Sequence, residues 1–148
     1  MTIPELESHA IQLFTEGKLS CSESVLQAMA DFWGVSDPLI PRIATPFRGG
    51  LCGTQQVCGV VSGGLMAIGI RLGRDSGSED GKACVAKGKE FIAWVNGEFG
   101  ALGCRELTGL DFADEEQHKL FQQQRRGEVC VPLVAKCCRW LAEKVVEA

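Results

Sequence analysis

Apolar residues recur at helical spacing along almost the whole chain, and no stretch alternates polar and apolar residues as a half-buried strand would. Ile3, Leu6, Ala10, Leu13 and Phe14 form one stripe that stops at Gly17. Ser20 and Glu23 then match the S-x-x-E capping box, which predicts Ser20 as N-cap and Cys21 as the first residue of a second helix. Its stripe is Val25, Leu26, Met29 and Phe32, and Gly34 ends it. Pro38 and Pro41 bracket a turn, with a brief helix expected over 40–44. The loop P-F-R-G-G-L-C-G leads to Thr54, read as the N-cap of a helix over 55–72. After a polar loop at 73–81, helices are predicted over 82–99, from an Asp111 cap through Phe121, and from Gly127 or Glu128 toward the C-terminus. These elements predict an all-α fold, a single compact, bundle-like domain of about five to seven helices covering residues 1–148.

Composition narrows the function classes. Hydrophobic residues make up 45% of the chain, enough to fill a core rather than leave a disordered polymer. The net charge is −4, and Arg125–Arg126 is the most basic run, which argues against a nucleic-acid or anionic-membrane surface. The most apolar stretch, 57–70, is too short to span a bilayer, so no membrane insertion is expected. The N-terminus lacks the continuous apolar run of a secretory signal. A soluble, cytoplasmic protein is therefore expected, in a compartment where thiols stay reduced and serve redox or metal chemistry rather than stapling.

Eight cysteines bear on that chemistry. Four of them, Cys21, Cys58, Cys104 and Cys130, fall where helices are predicted to begin. A helix start offers unpaired N–H groups and the positive end of the dipole, which favour the reactive and metal-binding thiolate. Cys21 is the clearest case, at N1 behind its capping box. Cys58 falls in the first turn if Thr54 is the cap, and Gly59, Gly63 and Ala67 follow at intervals of four as a smooth ridge. Glycine inside a helix costs about 1 kcal/mol against alanine, so the ridge implies a close approach by a neighbouring helix or by a cofactor. Cys104 follows Gly103 and precedes Arg105, and Cys130 lies downstream of two arginines. Cys137, Cys138 and Cys84 read as small core residues. Cys52 sits in the glycine-rich loop, six positions before Cys58, where it can lean into the same site.

No pair shows C-x-x-C spacing, so a site must be assembled from distant segments. His9 and His118 are read as helix-face residues, which leaves thiolates as the ligand set and favours an iron–sulfur cluster or an all-cysteine zinc site. The segment G-S-E-D-G-K-A lacks both the length and the following Ser/Thr of a phosphate loop.

With these residues in hand, the chain resembles the C-GCAxxG-C-C family of redox-active proteins over about residues 10–145. The resemblance rests on Cys21 in S-C-S-E-S-V-L-Q-A, on Cys58 in L-C-G-T-Q-Q-V-C-G-V-V-S-G-G, then on Cys104 and Cys130. The chain departs from the family at Val60, where alanine is usual, and at Cys52, where an apolar residue is usual. The resemblance implies a redox role for the four cysteines. Some relatives join this module to haem domains, but no C-x-x-C-H site is present for covalent haem.

Three functions follow as expectations. The first is electron transfer through an iron–sulfur centre on Cys21, Cys58, Cys104 and Cys130, with Cys52 as a further candidate ligand, Gly59 and Gly63 beside the cofactor, and a homodimer with the site near its interface. The second is a thiol–disulfide enzyme or sensor without metal, using the same four thiols. The third is a non-catalytic helical binding module with structural zinc. The redox partner is unknown in each of the first two.

Overall fold

Two capping boxes set the first two helices of the computed structural model, which describes residues 1–146. In α1 (Ile3–Thr15) the Thr2 hydroxyl accepts the Glu5 N–H, and the Glu5 carboxylate accepts the Thr2 N–H. In α2 (Cys21–Phe32) Ser20 and Glu23 make the same reciprocal pair, so Cys21 is the first helical residue as expected. A 3₁₀-helix (Arg42–Phe47) follows, then α3 (Gly59–Leu72), α4 (Lys82–Phe99), α5 (Cys104–Thr108) and α6 (Glu115–Leu120). The chain continues without a break through a π-helical segment (Phe121–Cys130) into α7 (Val131–Lys144). The described residues thus form an all-α fold of seven α-helices without strands. No helix among them is long and apolar enough to cross a membrane.

The core is where α1, α2, α3, α4 and α7 meet. Leu6 and Phe14 of α1, Val25 and Met29 of α2, Val60 and Ile68 of α3, Phe91 and Val95 of α4, and Leu133, Val134 and Leu141 of α7 are all buried there. Trp94 is half-buried and stacks on Trp140 at 5.8 Å between ring centroids. Cys137 and Cys138 are fully buried, and the half-buried Cys84 packs against the core.

Three helix boundaries differ from expectation. The helix predicted from Gln55 begins instead at Gly59, with Cys58 as its N-cap. Leu51, Cys52 and Gln55 take left-handed backbone angles, so the chain turns back on itself there instead of coiling, and the Thr54 hydroxyl bonds to the Leu51 carbonyl within that turn. Asp114, not Asp111, caps α6 by accepting the Gln117 N–H. Gly127 does not start a helix, because the π-helical segment carries the chain straight through it. The segment also accommodates Pro132, which has no N–H and whose ring would crowd the carbonyl four residues back in an α-helix. The preceding wide turns, closed by the Val131 N–H to the Arg126 carbonyl, have already displaced that ladder.

The glycine ridge of α3 is used by a neighbouring helix. A Cβ on Gly63 would lie 2.5 Å from the Ser22 carbonyl oxygen, backbone that cannot easily yield. Gly63→Ala is therefore expected to lower the unfolding free energy by about 1–2 kcal/mol net, overpacking outweighing the gain in helix propensity. Gly69→Ala, where a Cβ meets nothing within 4 Å, should instead raise it by up to about 1 kcal/mol. Urea unfolding of the two variants measures the contrast.

Candidate functional site

The close packing of α2 on α3 brings two cysteines together, and the loops around them bring three more. Cys21, Cys52, Cys58, Cys104 and Cys130 all line one cavity of about 560 Å³. Cys84, Cys137 and Cys138 do not line it.

Cys21 sits at the N-terminus of α2, half-buried. Its sulfur accepts the Cys58 thiol and the backbone N–H groups of Gly49, Ser22 and Cys21 itself. The Cys58 hydrogen bond is the largest influence; with the amides it overcomes burial and brings the Cys21 pKa down to about 7. Gly59 makes this approach feasible, because a Cβ there would lie 2.5 Å from the Cys21 Sγ. Gly59 lines the cavity, whereas Gly63 lies against Ser22 and does not.

Cys58 is the donor in that pair. Giving its proton to the Cys21 sulfur, together with burial and the Cys21 charge, pushes its own pKa well above the ordinary thiol value. The Val60 N–H acts in the opposite direction. Val60 itself, the residue that departs from the family pattern, is fully buried in the core and does not line the cavity.

Cys104 is tied to Cys58 through the backbone. The Cys58 N–H donates to the Leu102 carbonyl at 2.8 Å and the Cys104 N–H to the Gln56 carbonyl at 2.7 Å, around an antiparallel bridge between Val57 and Gly103. Gly50 lets the loop close over this clamp, since a Cβ there would lie 2.8 Å from the Cys104 Cβ. Burial pushes Cys104 up to about 11, aided by the Cys21 charge and opposed by a hydrogen bond from the Gln55 side chain. Arg105 does not help, because it turns outward to Asp111 at 3.4 Å.

Cys130 ends the π-helical segment, so the helix-start argument does not apply to it. Burial raises it to about 12, with the charges of Cys21 and Cys104 adding and Arg126 opposing. The segment is pinned on both sides of the cavity. Arg125 Nε donates to the Thr108 carbonyl of α5 at 3.1 Å, and Arg126 Nη2 donates to the carbonyls of Phe14 and Leu19 at 3.1 and 3.4 Å. Cys52 stands at the exposed side in a left-handed conformation, its thiol donating to the Pro46 carbonyl at 3.2 Å.

Among Cys21, Cys58, Cys104 and Cys130, Cys21 is the one shifted toward thiolate; Cys58 is held protonated chiefly by its bond to Cys21, and Cys104 and Cys130 chiefly by burial. Among the described residues no three His, Cys, Asp or Glu side chains gather closely enough to hold a single metal ion. The arrangement sets a nucleophilic thiolate with a thiol beside it, which suits thiol redox chemistry.

The structure also finds lining residues that the sequence did not single out. His118, expected to be a simple helix-face residue, is half-buried, lines the cavity and stacks on Phe112 at 5.0 Å. Lys18, Arg48 and Arg126 line the same cavity. No local motif marks any of them, since each comes from a different segment. His9 is elsewhere, bonded to Asp31 at 2.7 Å.

The thiol geometry sets a pH dependence. In reduced, metal-free protein the alkylation rate of Cys21 is expected to rise with a midpoint near pH 7, as thiol becomes thiolate. Cys58→Ala removes the main stabiliser of that thiolate and should move the midpoint upward, slowing alkylation at pH 7. Iodoacetamide labelling followed by peptide mass mapping across pH reads both.

No curated protein and no solved structure matches this chain. A family description, "Putative redox-active protein (C_GCAxxG_C_C)", matches residues 19–144. That range takes in every cysteine of the cavity and most of the helices that position them, and the chain belongs to this family.

Proposed function

We propose that the chain is a one-module redox protein whose four cavity cysteines, Cys21, Cys58, Cys104 and Cys130, hold an iron–sulfur cluster for electron transfer in a reducing cytoplasm. One observation carries the reading: these four thiols, from four separate segments, open together with the exposed Cys52 into one cavity, while Cys137 and Cys138 are packed in the core. A dithiol enzyme needs two such groups, not four.

The residues fit the group. A single ion would draw its ligands to one point, and no three are so gathered among the described residues. A two-iron cluster takes two cysteines per iron. Cys21 and Cys58, already hydrogen-bonded, would supply two of the ligands, and Cys104 and Cys130 the others. The N–H groups of Gly49, Ser22 and Val60 and the Gln55 side chain, which now bond to sulfur, would remain to hold the ligand thiolates and tune the potential. When bound, such a cluster supplies one-electron transfer. The chain's own part is to exclude water, aim these donors and keep three thiols protonated until metal displaces the protons.

Thiol–disulfide chemistry is a second reading, favoured by the hydrogen bond from Cys58 to a Cys21 sulfur poised near pH 7. The Cys21 thiolate would attack a disulfide and expel one thiolate. Cys58 would then attack the mixed disulfide, releasing the second thiolate with the Cys58 proton and leaving a Cys21–Cys58 disulfide.

Iron, sulfide and zinc analysis with a visible spectrum, on protein purified without oxygen, tests the proposal. The expected result is about two iron and two sulfide per chain with a brown chromophore, lost on Cys58→Ala and Cys104→Ala. Colourless, iron-free protein that forms a Cys21–Cys58 disulfide on mild oxidation would transfer the assignment to the second reading. Zinc alone would mean a structural site.

A further inference from the structure

Apart from the Cys21 thiol, which is poised to ionise, the charged side chains that line the cavity are all basic. Lys18, Arg48 and Arg126 line it, and no Asp or Glu among the described residues does, in a chain with 19 acidic and 15 basic residues. These cations come from the α1–α2 link, the glycine-rich loop and the π-helical segment, so the fold, not a local charge run, collects them.

Their roles are not absorbed by ion pairs. Lys18 and Arg48 are exposed, and neither side chain has a hydrogen bond or a close ion pair within the described residues. Glu23, whose carboxyl feels the Arg48 charge, is itself engaged by Ser20 and Thr45, with the Thr45 hydroxyl at 2.8 Å. Arg126 is fixed farther in, 3.7 Å above the Phe14 ring, and spends only Nη2 on the Phe14 and Leu19 carbonyls. Its other guanidinium N–H groups have no partner within the described residues. The same cavity is lined by the apolar side chains of Leu107, Phe112, Phe121 and Leu133. A volume of about 560 Å³ lies within the range of small-molecule sites and exceeds what four sulfurs around a small cluster require.

We propose that this cavity is also the binding site of a small organic anion with an apolar body, its acidic group held by Lys18, Arg48 and Arg126 and its body against the Phe112–Phe121 wall. That the anion is the small-molecule partner of the redox centre rests on the redox reading above; the binding site itself does not. An inorganic anion would leave the wall unused, and a neutral apolar molecule would leave the cations unused. A recessed cavity suits a small molecule better than an acidic protein face, which would meet only the exposed Lys18 and Arg48.

The test uses the full chain purified without oxygen and titrated calorimetrically with 2-naphthoate, with neutral 2-naphthalenemethanol as the control. Naphthoate is expected to bind at one site per chain, more tightly than the alcohol. The exposed double variant Lys18→Gln/Arg48→Gln should weaken naphthoate roughly tenfold and leave the alcohol unchanged. Lys82→Gln/Lys89→Gln, which removes the same charge from exposed positions of α4, should leave both unchanged. Circular dichroism checks that each variant is folded. Equal binding of acid and alcohol, no binding of naphthoate, or equal losses in the two double variants would overturn the proposal. Iron and sulfide content is read on the same samples, so an iron-free protein that still binds naphthoate would sink the cluster reading and leave the anion site standing.

Discussion

The contact between the first turn of α2 and the glycine face of α3 joins the core of this protein to its chemistry. Gly63 admits the Ser22 backbone, and Gly59, one turn earlier on the same ridge, admits the Cys21 sulfur. Side chains at either position would push the two helices apart, so the cost of glycine within a helix is offset by packing at one end and by thiol positioning at the other. Ser22 adds a lateral tie, its hydroxyl donating to the Ala44 carbonyl at 2.8 Å, and so carries the 3₁₀-helix and the glycine-rich loop into place over the pair. The loop then returns the Gly49 N–H to the same Cys21 sulfur.

Around that contact the remaining thiols are held by backbone and arginine, not by one another. The exchange of N–H bonds between 56–58 and 102–104 sets Cys104 relative to Cys58. Gln55 extends the same clamp by donating to the Leu110 carbonyl and accepting the Phe112 N–H. Arg125 and Arg126 anchor the π-helical segment to α5 and to the α1–α2 link, which places Cys130 on the opposite side. Electrostatics follow from this enclosure. Four acids share this cavity: burial, with the Cys21 charge adding to it, keeps Cys104 and Cys130 protonated, and Cys21, which gathers the hydrogen bonds, ionises first.

Much of this was legible before any coordinates. The Ser20–Glu23 box placed Cys21 correctly, because a capping box is a local device whose partners lie within one turn. Cys137 and Cys138, read as small core residues, are buried as their residue type implied. Thr54 misled because a good N-cap residue type does not by itself start a helix. The left-handed angles at Leu51, Cys52 and Gln55, required to fold the loop over Cys104, delay the start to Gly59. Gly127 misled for the opposite reason: a helix already held by Arg125 and Arg126 passes through a glycine that would end an unsupported one.

The sequence by itself determined an all-helical chain, the capping of Cys21, the core role of Cys137 and Cys138, and the cysteines worth watching. These are matters of period, cap and residue type, all set within a few residues. Only the tertiary structure decided that five cysteines share one cavity, that Cys21 bears the charge while Cys104 and Cys130 do not, and that Lys18, Arg48, Arg126 and His118 stand beside them. The physical reason is that burial, shared charge and cavity lining depend on which distant segments meet. Here that was settled by the packing of α3 on α2 and by a π-helical segment whose wide turns no local pattern announced.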